Sequence, residues 1–208
     1  MRIALTRPEG QNEELAARLR DLGHDVVMCP LIAIEPLGDE PVDLAGYDWL
    51  IVTSVNAARE LRRRGRGRAK QVAAIGPATA AAFGDADLVP EVATQEGLLA
   101  ALPRPAGRVL FAGAERARRL LVDELGADFV SLYRTRELRP NRPPDAELTV
   151  LASPSAARAY SALGLAAPAV SIGPETSAAA REGGVRVVEE ASPHDLDGLV
   201  AAVRRATR

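Results

Sequence analysis

The chain has 208 residues, of which 47% are hydrophobic and 26% charged, with a formal net charge of −2. This balance fits one large or two small globular domains and gives no reason to expect a nucleic-acid partner. Cys29 is the only cysteine and His24 and His194 are the only histidines, which excludes a disulfide framework and a cysteine-based metal site. With no signal peptide and no apolar run of membrane-spanning length, we expect a cytoplasmic protein without a membrane partner.

The first part of the chain predicts a strand, a helix, a strand and a connector. Residues 2–6 predict a buried strand, residues 12–22 an amphipathic helix and residues 25–29 a second strand. Residues 31–37 are extended and apolar. Residues 38–46 are polar and contain further breakers, so we interpret them as a connector rather than a core element.

The next part predicts a strand at residues 49–53, followed by a helix that Ser54 can cap. The only dense basic run, RRRGRGRAK at residues 62–70, could be an anion or nucleic-acid patch. Two glycines break it and no aromatic residues are interleaved, so we interpret it as a solvated helix end. Residues 72–82, VAAIGPATAAA, then predict a strand, a tight turn and a helix that starts at Pro77.

The remaining elements alternate in the same way. The predicted strands are residues 88–90, 108–112, 128–135, 148–152 and 185–188, and the predicted helices are residues 95–102, 115–125, one opened by Ser153-Pro154 and one from about residue 193.

A duplication organises these elements. Residues 170–180, VSIGPETSAAA, repeat the strand, Gly-Pro pair and threonine of residues 72–82, and ASPSAARAYSALG repeats TSVNAARELRRRG. A repeat of about a hundred residues indicates two similar domains rather than a solenoid. Strands that alternate with helices predict parallel sheets covered on both faces, so each half predicts a small doubly wound, flavodoxin-like unit.

Hydroxyl side chains follow the strand ends in both halves. Ligands of parallel sheets bind beyond the carboxyl ends of the strands, where helix starts offer free N–H groups to anions. Serine and threonine are also ordinary N-caps, so a single one would carry no weight. Pairs that are matched by the repeat, and able to face each other across a cleft, make a binding role as reasonable as a capping role. These residues are Thr53, Ser54, Thr79, Ser153, Ser155 and Thr176.

The sequence offers little else for chemistry. There is no G-x-G-x-x-G, no Walker A pattern and no nucleophile elbow, and nothing indicates a cofactor. Tyr133 remains as a candidate, in FVSLYRTREL, where the chain passes between domains. An amphipathic tyrosine that merely covers a strand end is the commoner case.

The ordered motifs LTRP, IVTSVNAA, AAIGPATA, SLYRT, ASPSAA and SIGPETSA, with the duplication, resemble the uroporphyrinogen-III synthase family over essentially the whole chain. The resemblance implies two flavodoxin-like doubly wound parallel-sheet domains joined by a two-stranded β-ladder linker. It implies a discontinuous first domain, residues 1–33 plus 139–208, a second domain at residues 42–130, and linker strands at residues 34–41 and 131–138. The residues alone would equally allow the two domains to follow each other in sequence.

The resemblance also implies a lyase of heme biosynthesis that closes linear hydroxymethylbilane to uroporphyrinogen III while inverting ring D, needs no cofactor and is usually monomeric. Tyr133 would be the catalytic residue, helping the terminal hydroxyl to leave. The implied substrate-binding residues are Arg7, Thr53, Ser54, Gly76, Thr79, Ser153, Ser155, Gly173 and Thr176.

Two positions depart from the family pattern, and two other functions stay open. Val55 stands where proline is common, and Glu175 stands where a hydroxyl residue is frequent. A carboxylate there would repel a carboxylated substrate, so we expect Glu175 to face solvent. One alternative is a small two-domain glycosyltransferase, although a glycine-rich loop and a ribose-binding acid are not evident. The other is a non-catalytic cytosolic protein that binds a small ligand.

Overall fold

The structure, a computed structural model, describes all 208 residues and divides the chain into two compact units. Unit 1 comprises Met1–Ala33 and Arg136–Arg208, and unit 2 comprises Ile34–Thr135. Unit 1 is therefore built from two separate stretches of chain, whereas unit 2 is one continuous stretch. None of the helices combines the length and the apolar character that crossing a membrane requires.

The elements follow one another in the order that a parallel α/β fold requires. The chain begins with β1 (Arg2–Leu5), α1 (Glu13–Asp21), β2 (Asp25–Met28) and β3 (Ile32–Pro36). It continues with β4 (Val42–Asp43), β5 (Trp49–Val52), α2 (Val55–Arg64), β6 (Gly65–Arg66), β7 (Gln71–Ala74), α3 (Pro77–Phe83), α4 (Gln95–Ala101), β8 (Val109–Ala114), α5 (Leu120–Leu125) and β9 (Asp128–Glu137). It ends with β10 (Leu148–Leu151), α6 (Pro154–Ser161), β11 (Ala169–Ser171), α7 (Pro174–Glu182), β12 (Val187–Glu190) and α8 (Leu196–Ala206).

Unit 1 contains a five-stranded sheet in the order β12-β11-β10-β1-β2, and its neighbouring strands are parallel. Ile3 and Leu5 point to one face, where they pack with Leu19 of α1 and Val203 of α8. Leu151 belongs to a second apolar cluster on the other side, with residues of α6 and α7. Both faces of the sheet are therefore buried, as a parallel sheet requires.

Unit 2 contains a five-stranded sheet in the order β3-β9-β8-β5-β7, together with a short parallel pair of β4 and β6. Strand β5 pairs in parallel with β7 and β8, and β8 with β9. Leu50 and Val52 pack in one apolar cluster, whereas Trp49 and Ile51 pack in another. This alternation explains why WLIV is apolar at every position, since each side chain points to a covered face of the sheet.

Three predictions about local structure are wrong in part. Helix α5 starts at Leu120 rather than at residue 115, and residues 115–119 are turn and irregular structure, with the guanidinium of Arg119 3.8 Å from the ring centre of Phe129. Residues 88–90 form a single bridge, from Leu88 to Ala73, rather than a strand. The segment 38–46 contains strand β4 and two buried apolar residues, so it contributes to the core.

Two glycines show that the duplication extends to backbone geometry. A Cβ at Gly97 in α4 would lie 2.0 Å from the carbonyl oxygen of Val92, and one at Gly198 in α8 would lie 1.7 Å from that of Pro193. Any side chain would therefore push the helix away from the loop that precedes it. The same close approach of loop and helix occurs in both units, which accounts for a glycine at each place.

Candidate functional site

The carboxyl edge of the unit 2 sheet brings Tyr133 and Ser54 together. Tyr133, on β9, has its phenolic oxygen 3.0 Å from the Oγ of Ser54. Ser54 follows β5 and caps α2, since its Oγ accepts a hydrogen bond from the N–H of Ala57 at 3.1 Å. Asn56, in the first turn of the same helix, also hydrogen-bonds the Tyr133 hydroxyl. A phenol, an alcohol and an amide are thus in contact where strand and helix meet.

Tyr133 is held in its protonated form. Its side chain is only 6% exposed and packs in an apolar cluster of unit 2. Burial raises the pKa of the Tyr133 phenol, and the hydrogen bonds with Ser54 and Asn56 offset only part of this effect. The phenol is therefore protonated near neutral pH and can donate a hydrogen bond, but it cannot act there as a base.

The turn between β7 and α3 lies next to the Ser54 turn, because β7 and β5 are neighbours. Gly76 has an extended backbone and caps α3 without a side chain, so no capping side chain covers its N–H or that of Ala78, and Pro77 between them has no N–H. Thr79 donates its N–H to the carbonyl of Gly76 at 3.1 Å and is 5% exposed. Thr53, at the end of β5, is half-buried.

Three turns of unit 1 lie side by side at the carboxyl edge of its sheet, because β1, β10 and β11 are adjacent and parallel. Ser153 follows β10 and caps α6, accepting from the N–H of Ala156 at 3.2 Å. Gly173 follows β11 and caps α7 without a side chain, and Thr176 in its first turn is 2% exposed. The Oγ of Ser155 accepts from Arg158 at 3.2 Å.

Arg7 lies in the third of these turns, after β1, and is half-buried. Asn12 stabilises this turn, since its amide nitrogen donates to the carbonyl of Arg7 at 3.0 Å and to that of Pro8 at 3.5 Å. Asn12 itself is 2% exposed. The backbone at Arg7 is therefore held from inside unit 1.

Three residues at these edges were not predicted from the sequence. Asn56 and Asn12 could have been found, since each stands at the start of a predicted helix, where an amide often bonds the neighbouring turn. Nothing in the sequence indicated a role for His194, apart from its being one of only two histidines. Its ring packs against Gly173, and a Cβ placed on that glycine would lie 3.2 Å from the imidazole.

The expectation for Glu175 is confirmed, whereas the interpretation of the basic run as a solvated helix end holds for its exposed cations and is wrong for Arg64. Glu175 is exposed. In the basic run, Arg64 is 6% exposed and donates to the carbonyls of Glu40 and Leu37, and Arg63 pairs with Glu60. These two cations form hydrogen bonds and an ion pair within unit 2, which indicates a structural role for the end of α2.

The donors at both edges are hydroxyls, amides and backbone N–H groups, and no three His, Cys, Asp or Glu side chains are grouped to hold a metal ion. Such donors suit a substrate with carboxylates. They also suit a reaction that needs little more than orientation and one proton donor.

Comparison with known proteins decides the family. The family model described as "Uroporphyrinogen-III synthase HemD" matches residues 13–201. This chain belongs to the uroporphyrinogen-III synthase family. A uroporphyrinogen-III synthase of Synechococcus elongatus is 30% identical over 251 residues, which cover 99% of this chain and 95% of that protein. A putative uroporphyrinogen-III synthase of Methanocaldococcus jannaschii is 27% identical over 151 residues, 66% of this chain and 63% of that protein.

The fold agrees with this family. A mutant uroporphyrinogen III synthase from the extremely thermophilic bacterium Thermus thermophilus superposes with a TM-score of 0.67 at 17% identity, covering 100% of this chain and 98% of that one. The mixed α/β architecture with parallel sheets is shared. Membership of the uroporphyrinogen-III synthase family favours an enzyme of this type over a glycosyltransferase or a ligand-binding protein.

Proposed function

We propose that this chain closes linear hydroxymethylbilane to uroporphyrinogen III with inversion of ring D. The observation that carries the proposal is the contact between the hydroxyls of Tyr133 and Ser54, 3.0 Å apart at the carboxyl edge of unit 2, in a chain of the uroporphyrinogen-III synthase family. It supplies a protonated phenol where ligands of parallel sheets bind.

The proposed reaction loses one water. The bond between the terminal methylene carbon and its hydroxyl oxygen breaks, and the oxygen leaves with a donated proton. The electron-deficient azafulvene that results is attacked by the ring D carbon that already carries the bridge to ring C, which gives a spiro-pyrrolenine. That bridge then breaks, and the free α-carbon of ring D bonds the released methylene and loses a proton. This proton balances the one given to the leaving oxygen.

In this proposal Tyr133 donates to the leaving hydroxyl, and Ser54 with Asn56 orients the phenol. A positioned donor typically contributes about 10²–10⁴-fold to a rate. The acetate and propionate groups of the substrate would bind at the helix starts, where N–H groups and the positive end of the helix dipole favour anions. The proposed binding residues are Arg7, Thr53, Ser54, Gly76, Thr79, Ser153, Ser155, Gly173 and Thr176.

We propose further that both units are flavodoxin-like. When the strands of unit 1 are numbered as they appear in the chain, their order in the sheet is 2-1-3-4-5, the flavodoxin-like order. In unit 2 the strands β5, β7, β8 and β9 follow the same scheme, with β3 added at the edge. The polypeptide leaves unit 1 along β3 and re-enters it along β9, and these two strands are neighbours. This supports a linker formed by residues 34–41 and 131–138.

The proposal is tested by incubating the purified protein with hydroxymethylbilane, oxidising the products and separating the uroporphyrin isomers. Spontaneous closure gives the type I isomer, so heat-denatured protein serves as the control. We expect the native protein to give mainly type III. Only type I, formed at the spontaneous rate, would overturn the proposed function.

A further inference from the structure

Unit 1 contains a chain of polar side chains that the reaction above does not use. Ser171 ends β11, Ser177 lies on α7, and Glu190 ends β12. The two serine oxygens are 2.5 Å apart, and Ser177 donates a hydrogen bond to the carboxylate of Glu190. This bond uses the only hydroxyl proton of Ser177, so Ser171 must be the donor between the two serines. The chain therefore runs in one direction, from Ser171 through Ser177 to Glu190.

The two serines are inside the unit, whereas Glu190 is half-buried. Both serines are 0% exposed. A hydroxyl removed from water costs free energy unless it is hydrogen-bonded, and each hydroxyl here depends on the next member for its partner. Ser177 is the centre of the chain, and its side chain connects α7 to the ends of two strands.

The other half of the duplication forms the same local elements without these hydroxyls. In the alignment of VSIGPETSAAA with VAAIGPATAAA, Ser171 corresponds to Ala74 and Ser177 to Ala80. Helix α3 nevertheless starts after Gly76 just as α7 starts after Gly173. The same strand, turn and helix therefore form with alanine at both places. Within the duplication, the hydroxyls are therefore a feature of unit 1 alone.

We propose that Ser177 and Glu190 are positioning residues that fix the turn from Gly173 to Thr176 for substrate binding. Ser177 directly follows Thr176, and its N–H donates to the carbonyl of Gly173 at 2.9 Å. Its side chain holds the same point of the helix against the ends of β11 and β12. The N–H groups that begin α7 are then aimed in one direction, so a substrate carboxylate meets donors that are already ordered. This inference rests on the proposed function.

The test compares the variants Ser177→Ala, Glu190→Ala and Glu190→Gln with the matched control Ser161→Ala. Ser161 is also a helical serine of unit 1, but its hydroxyl donates to the carbonyl of Ala157 within α6 at 2.9 Å. We expect Ser177→Ala and Glu190→Ala each to raise KM for hydroxymethylbilane about tenfold, the effect of losing one ordered contact, with kcat nearly unchanged. Below saturation, the share of type I product should rise.

Two further variants separate positioning from stability. Glu190→Gln retains an acceptor oxygen, so its KM should stay close to that of the wild type. Because Ser177 and Glu190 act through the same hydrogen bond, the double variant Ser177→Ala/Glu190→Ala should have a KM no higher than that of either single variant. Thermal unfolding should show all variants folded at the assay temperature, and Ser161→Ala should have wild-type kinetics. Should Ser177→Ala fail to fold, the comparison of Glu190→Ala with Glu190→Gln decides alone.

The possible failures are distinct. A wild-type protein that gives only type I product overturns the proposed function and, with it, this inference. An active wild type with unchanged KM and isomer share in Ser177→Ala and Glu190→Ala overturns this inference alone. A lower unfolding temperature with unchanged kinetics would also overturn it, since the hydrogen bonds from Ser171 to Glu190 would then only stabilise the fold.

Discussion

The hydroxyls of Tyr133 and Ser54 meet at 3.0 Å although the two residues are 79 positions apart in the chain. Strand β8 lies between the strands that carry or precede them, so the phenol reaches across one strand to the start of α2. The contact joins the proposed proton donor to a helix N-cap. Single substitutions can therefore separate the effect of the two hydroxyls on the reaction from the effect of the two side chains on packing.

Tyr133→Phe should lower kcat by about 100-fold or less, the low end for a lost general acid, because an azafulvene can also form unaided. KM should change little, and the type I share should rise as spontaneous closure competes. The ring keeps its place in the apolar cluster, so the fold should survive. Tyr160→Phe is the control. Its hydroxyl donates to the carbonyl of Ala167 in unit 1, and its loss should cost about 1 kcal/mol of stability without changing the kinetics. Wild-type turnover by Tyr133→Phe would make Tyr133 a packing residue.

Ser54→Ala and Ser153→Ala form a matched pair, because both serines cap a helix through a similar hydrogen bond. Each substitution should lower the free energy of unfolding by about 1 kcal/mol, as measured by urea denaturation. Only Ser54→Ala should also lower kcat, since only Ser54 contacts Tyr133. Equal effects of the two variants on kcat would contradict an orienting role for Ser54.

Thr79→Val and Thr176→Val should mainly raise KM for hydroxymethylbilane. Valine keeps the shape of threonine and removes only the hydroxyl, and both residues are almost fully buried. The loss of a hydrogen bond to a charged group is worth about 1.5–3 kcal/mol, which corresponds to roughly 10–100-fold in KM. Thr79→Ser and Thr176→Ser retain the hydroxyl and should stay near the wild-type KM. If the valine and serine variants have the same KM, these hydroxyls do not bind substrate.

The dependence of stability on pH should reveal the buried phenol. Burial raises the pKa of Tyr133, so the folded chain holds this proton more tightly than the unfolded chain. The resulting stability is fully present below the ordinary pKa of tyrosine and is lost as the pH rises through the higher folded pKa. Urea unfolding from about pH 8 to about pH 11 should therefore show the wild type losing stability relative to Tyr133→Phe only in the upper part of this range. A relative loss that is already complete at pH 8 would contradict a raised pKa.

Gly97→Ala and Gly198→Ala should each destabilise their unit. The added Cβ would lie 2.0 Å and 1.7 Å, respectively, from a backbone carbonyl oxygen, and overpacking of this kind typically costs about 1–3 kcal/mol. Gly76→Ala is the control for stability, because its Cβ would meet nothing nearer than Ala93 at 3.7 Å and its backbone is extended. Thermal unfolding of the three variants measures the difference. A similar midpoint for all three would show that the loops before α4 and α8 can move away.

The parts of the fold that local pattern controls were predictable. The continuous apolar run of β5 indicates a strand buried on both faces, and Ser54 stands where a helix cap must stand. The start of α5 did not follow from local pattern: residues 115–119 are irregular, and Arg119 next to the helix contacts Phe129 of another element. Strand β1 is apolar enough to pair with several partners, so its neighbour β10 could not be chosen from the residues alone.

The candidate site divides in the same way. The positions of the hydroxyls after strand ends follow from motif and repeat. Their partners do not, because Asn56 and Ser54 meet Tyr133 only through the order of strands in the sheet. The bonds of Ser177 and Glu190 likewise depend on β11 and β12 being neighbours. Long-range contacts of side chains thus remain outside what periodicity can predict.

The insertion of unit 2 between the two stretches of unit 1 has a consequence for synthesis on the ribosome. The sheet of unit 2 has all its strands once Glu137 has emerged, whereas β1, which already has β2 beside it, still lacks β10, its partner from the other stretch. Elongation at about 5–20 residues per second leaves the N-terminal strands waiting on the order of ten seconds. During that time Ile3 and Leu5, which end up fully buried, lack their contacts with Leu148 of β10 and Val203 of α8. A nascent chain stalled before β10 would therefore carry a complete sheet of unit 2 after an N-terminal segment whose apolar side chains are not yet fully covered.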